Sequence, residues 1–100
     1  MTTIITRLFK DEATARNAAR KLQFKGFPAR ALTVITGGKQ AEAMMARADV
    51  HASAAKKYAE ALGSGGAVLA VAATYKPLGA ARIAREYLAG QDTVDVGKVT

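Results

Sequence analysis

The run Ala67-Val68-Leu69-Ala70-Val71-Ala72-Ala73, entered through Gly63-Ser64-Gly65-Gly66, limits what this chain can fold into more than any other stretch. A strand with one wet face alternates apolar and polar side chains, and this one does not. It reads as a central strand covered on both faces. A buried helix segment has the same composition. The short length, the valines and the preceding glycines favour the strand. The sharp entry from a helix into this strand predicts a positive φ at Gly65 or Gly66.

The other elements arrange themselves around it. Thr3–Phe9 (TIITRLF) is β-branched and apolar and reads as a first strand. Asp11 suits a helix N-cap, with Glu12 in the first turn. Ala15, Ala18, Ala19 and Leu22 form one apolar stripe, from which Arg16, Arg20, Lys21 and Lys25 stand aside. Gly26 suits the C′ position, Phe27 packs back, and Pro28 stops the helix. Ala31–Thr36 reads as a second strand broken by Gly37-Gly38. Two short helices follow, Lys39–Ala48 and Ala52–Leu62, the second capped by Asp49. After the central strand, Pro77–Ala89 reads as a helix and Thr93–Val99 as a closing edge strand.

This order predicts an α+β fold in a single domain, residues 1–100. The expected form is ferredoxin-like: a four-stranded antiparallel sheet in the order 4-1-3-2, helices mainly on one face, and two extra helices between strands 2 and 3. The 23 alanines among 100 residues call for tight helix-on-sheet packing in place of bulky side chains.

Composition narrows the function. There is no cysteine, so disulfides and zinc–cysteine clusters are excluded. No apolar run is long enough to span a membrane, and Met1-Thr2-Thr3 lacks signal-peptide character, so a cytoplasmic protein is expected. The net charge of +7 favours acidic partners. His51, the single histidine, stands near a helix start; a surface or capping role suits it better than metal binding or base catalysis. Thr36-Gly37-Gly38-Lys39 lacks phosphate-loop spacing and reads as a turn. No cofactor or metal is expected. The central strand carries no aromatic residue, against base stacking on the sheet.

Arg7-Leu8-Phe9-Lys10-Asp11-Glu12-Ala13, Leu22 with Gly26-Phe27-Pro28, and Leu32-Thr33-Val34-Ile35 resemble the first half of the small bacterial general-stress (heat-induced stress protein) domains. Tyr58-Ala59-Glu60-Ala61-Leu62 with Gly65-Gly66-Ala67-Val68-Leu69-Ala70-Val71, and Thr93-Val94-Asp95-Val96, are similar to the second half. The resemblance implies a fold more than an activity, and no functional residue carries over. Two departures, the basic charge and Met44-Met45 where a glycine zipper often stands, suggest a specialised partner.

The expected function is non-enzymatic: an accessory or assembly domain that binds protein, with a homodimer favoured. The physical basis is the central strand. One helix layer buries one of its two apolar rows, leaving the other for a partner. Leu69 and Val71, with Met44 and Met45, are the interface candidates. A basic nucleic-acid-associated protein binding through phosphate contacts is the alternative. A small enzyme with His51 as its base ranks third.

Overall fold

The computed structural model describes residues 3–37, 41–48, 50–62, 66–73, 79–91 and 93–94. The expected cap at Asp49, the expected helix start at Pro77, Gly65, and positions 95–99 of the closing strand lie outside these residues.

The first helix shows how local chemistry sets an element's limits. Strand β1 (Thr3–Phe9) leads to α1 (Glu12–Phe24). Asp11 Oδ1 accepts the Thr14 backbone N–H at 2.7 Å, which fixes the N-cap. At the other end Gly26 adopts φ 110°. Its N–H donates to the Gln23 carbonyl at 3.0 Å, and the Phe27 N–H donates to the Leu22 carbonyl at 3.2 Å. This is a Schellman stop, and Leu22 and Phe27 are both buried in the same core.

The Asp11 cap also titrates. Thr14, first through its side chain and then through its backbone N–H, holds the Asp11 carboxyl below its usual range. The contribution of the cap to stability is therefore complete above the ordinary carboxylate range and is lost as pH falls through the lowered value. Asp11→Asn keeps a cap that cannot titrate. Relative to that variant, wild-type stability is expected to decline on acidification, as read by thermal melts across acidic pH. Parallel pH profiles for the two proteins would contradict the assignment.

A 3₁₀ turn (Ala29–Ala31) enters β2 (Leu32–Thr36). Then come α2 (Ala41–Arg47), α3 (Ala52–Leu62), β3 (Ala67–Ala73), α4 (Ala80–Ala89) and β4 (Thr93–Val94). Helix α4 is described from Ala80, behind Gly79 at φ 74°.

The sheet corrects the expected architecture in two respects. Across it the strands run β2-β3-β1-β4, but three strands build the ladder, antiparallel in the order 1-3-2. The fourth, β4, is described over Thr93–Val94 only. It pairs Val94 with Leu8 and Thr93 with Phe9.

The second correction concerns the helices, which cover both faces of the sheet instead of mainly one. On one face α1 and α4 bury Ile5, Phe9, Ala67, Leu69, Val71 and Ala73 beneath Ala15, Ala18, Leu22, Ala84 and Leu88. On the other, α2 and α3 bury Leu8, Ile35, Val68 and Ala70 beneath Ala41, Met45, Ala54, Ala55, Tyr58 and Leu62. The physical reason is side-chain size. Alanines on α2, α3 and β3 let short helices approach the sheet closely, so two modest helices suffice as a lid.

Gly66 meets its expected importance by a different route. It does not share the positive φ of Gly26 and Gly79. A Cβ at this position would stand 2.5 Å from the Leu62 carbonyl oxygen, to which the Gly66 N–H already donates at 3.2 Å. The turn from α3 into β3 brings backbone against backbone, and neither side can yield. Gly66→Val is expected to cost roughly 1–3 kcal/mol, visible as a lowered Tm; a melt at the wild-type temperature would refute the close approach.

Candidate functional site

All four interface candidates from the sequence belong to the two cores or their margins. Leu69 and Val71 are fully buried between the sheet and the α1/α4 layer, and Met45 is fully buried beneath α2. Met44 is half-buried and packs on the rim of the α2/α3 core. The reasoning that one row of β3 stays bare fails because the second helix layer covers it. Met44 keeps part of its surface exposed at the rim, whereas Leu69, Val71 and Met45 hold the domain together and offer no free apolar surface.

The surface that does offer one is the outer side of α1. Ala15, Ala18 and Leu22 turn to the sheet. At 3.6 residues per turn, Phe24 falls almost opposite that stripe. It is 85% exposed, the one large apolar side chain so exposed among the described residues. Asn17, Arg20, Lys21 and Lys25 form a shallow depression with it. Arg20 and Lys21 make no ion pair among the described residues. The Lys25 ammonium lies 5.6 Å from the centroid of the Tyr87 ring, a cation–π contact that ties the C-terminal end of α1 to α4. Burial pushes the Tyr87 phenol above its ordinary pKa. Arg16, one turn before Arg20, is held by Glu12 in an exposed ion pair.

On its other side Arg20 borders a groove of about 320 Å³ where α1 overhangs β2. Ala19, Leu32 and Val34 line its apolar part, and Arg16, Arg20 and Gln23 its polar rim. Arg20 is thus shared by two neighbouring surface features. An aromatic side chain ringed by cations can bury apolar area and pair with acidic groups at once, the combination that anchors protein interfaces.

Sequence reading found the cations of this helix and missed Phe24. The signal was present: an aromatic residue on the polar side of an otherwise well-sorted amphipathic helix.

His51 stays at the surface. Its Nδ1 accepts the Ser53 backbone N–H at 3.3 Å and lies 2.9 Å from Ser53 Oγ, while its carbonyl accepts the Ala55 N–H at 2.8 Å. It caps α3. Among the described residues no three His, Cys, Asp or Glu side chains come together as a metal site. Among the same residues no helix is long and apolar enough to cross a membrane.

Comparison with known proteins places the chain elsewhere than the general-stress domains. Residues 22–100 match the PucE light-harvesting protein-like family. The chain is 48% identical over 89 residues to Protein PucD of Rhodobacter capsulatus, a match covering 85% of this chain and 78% of that protein. No solved structure matches it. The resemblance to heat-induced stress proteins is overturned by these matches, which lend no support to a link to stress.

Proposed function

The chain belongs to the PucE light-harvesting protein-like family, and from that premise we propose that it is a non-enzymatic accessory of a light-harvesting system, acting by binding protein through the outer side of α1. The observation that carries the reading is Phe24, 85% exposed with Arg20, Lys21 and Lys25 around it. An aromatic side chain left in water at the pole of a helix is a cost that a partner's apolar surface removes. The cations select acidic groups on that partner and speed its approach.

The same charges argue against a homodimer built on this surface. A two-fold contact between copies of α1 would set Arg20, Lys21 and Lys25 against their equivalents, in a chain already at +7. Binding of nucleic acid through phosphates draws on the same charge, but it gives Phe24 no role, and the family match does not support it.

The test is retention of the pigment–protein light-harvesting complexes of the source organism, solubilised in mild detergent, on the immobilised chain. Specific retention that weakens with salt without vanishing is the expected result, since the aromatic contact survives screening. Absence of retention at low salt would overturn the reading.

A further inference from the structure

We infer that the outer edge of β2, with the groove beneath α1, receives an extended acidic segment of the protein partner as an added strand. The inference rests on the protein-binding reading above and names a second contact for the same partner.

The two edges of the sheet are treated differently. At the β1 edge, β4 pairs with Leu8 and Phe9. The Thr6 carbonyl there accepts the Tyr58 hydroxyl at 3.2 Å and the Arg7 guanidinium at 2.7 Å. Thr6 Oγ1 in turn donates to Tyr58 Oη at 2.9 Å. That edge is closed by a strand fragment and by side chains. Strand β2 ends the sheet on the other side and pairs only with β3 among the described residues. Its sequence, LTVIT, has none of the lysines, prolines or other charges that usually blunt an exposed edge. Alternate N–H and C=O groups of such a strand lie on its free side, open to pairing.

The groove beside this edge defines the occupant. Leu32 and Val34 are two residues apart, so they share the face of β2 toward α1 and match the period of an added strand. Its volume, about 320 Å³, admits side chains of an extended segment and is too small for a folded element. Arg20 on the rim has no acidic partner among the described residues, whereas Arg16 is engaged by Glu12. The site therefore favours a segment that turns both an apolar and an acidic residue, two positions apart, toward α1. A second copy of this chain, adding β2 to β2, would bring Arg20 toward Arg20 and a +7 chain toward another. Charge decides for an acidic partner.

The experiment uses the purified full chain, isotope-labelled, titrated with a short peptide that repeats valine, threonine, glutamate and threonine, so that valine and glutamate share one face. Two further peptides serve as controls: one with lysine in place of glutamate, and one N-methylated at alternate residues so that its backbone cannot pair. The expected result is slowed amide exchange along residues 32–36 with the acidic peptide, affinity reduced about tenfold or more by N-methylation, and preference for the lysine peptide in Arg20→Glu. Equal binding of the N-methylated peptide, or shifts spread over the cationic surface without protection of β2, would overturn the inference. So would an absence of binding. If β2 stays unprotected while light-harvesting complexes are still retained, the inference falls and the proposed function stands. If β2 is protected but no such complex is retained, the edge site stands and the proposed function falls.

Discussion

Replacing Leu69 by aspartate is expected to yield a chain that does not fold. Leu69 is fully buried at the centre of the sheet, opposite Arg7 on β1 and Val34 on β2, with the α1/α4 layer above it. A carboxylate there would be buried among Ile5, Phe9, Leu22 and Leu88, and its cross-strand neighbour Arg7 would not offset the loss of hydration. Burying the ion costs several kcal/mol even with a counter-charge beside it, on the scale of the stability of a small domain. Leu69→Ala, which only empties volume, is expected to cost about 2–5 kcal/mol. Circular dichroism and thermal melts of both variants provide the check. A folded, soluble Leu69→Asp protein would mean that this row of β3 faces outward, and the two-layer account would be wrong.

Phe24→Ala is expected to do the opposite: leave the fold alone and remove the binding. The side chain is exposed, and alanine is a better helix former than phenylalanine, so stability should change by no more than about 0.5 kcal/mol. Aromatic anchors at interface centres are worth about 2 kcal/mol or more, roughly thirtyfold in affinity. Affinity for light-harvesting complexes, measured against a matched melting curve, tests this. Arg20→Glu separates the two components of the surface, because reversing a rim charge alters the association rate and its salt dependence. Unchanged affinity in Phe24→Ala would remove α1 from the interface.

How far the sequence revealed this molecule follows from which interactions are local. Asp11, Gly26 and Phe27 act within one turn of chain, so the limits of α1 were readable. The unbroken apolar run of β3 announced burial on both faces, and that is its state. What covers the second face depends on α2 and α3, whose short alanine-rich stripes gave no measure of how closely they could approach. Interface status for Leu69 and Val71 came from underestimating that approach. Gly66 was recognised as special for the wrong reason, because what demands glycine there is the Leu62 carbonyl four residues back, and φ is only one way to need glycine. The mistaken family resemblance has the same root. Leu22 with Gly26-Phe27-Pro28 is a helix stop, and Gly66 before β3 is a close backbone approach. Many unrelated α/β chains require both. Phe24 was visible all along, as the residue that broke the sorting of its helix.

The central claim is that a light-harvesting partner sits on the outer side of α1. Site-specific photo-crosslinking tests it most directly, with a photoreactive phenylalanine analogue placed at Phe24 and, as a control on the opposite layer, at the exposed Lys56 of α3. With solubilised light-harvesting complexes present, the account predicts a crosslink from position 24 to a light-harvesting polypeptide and none from position 56. Crosslinks from position 56 alone, or from neither position while the complex is retained, would contradict it.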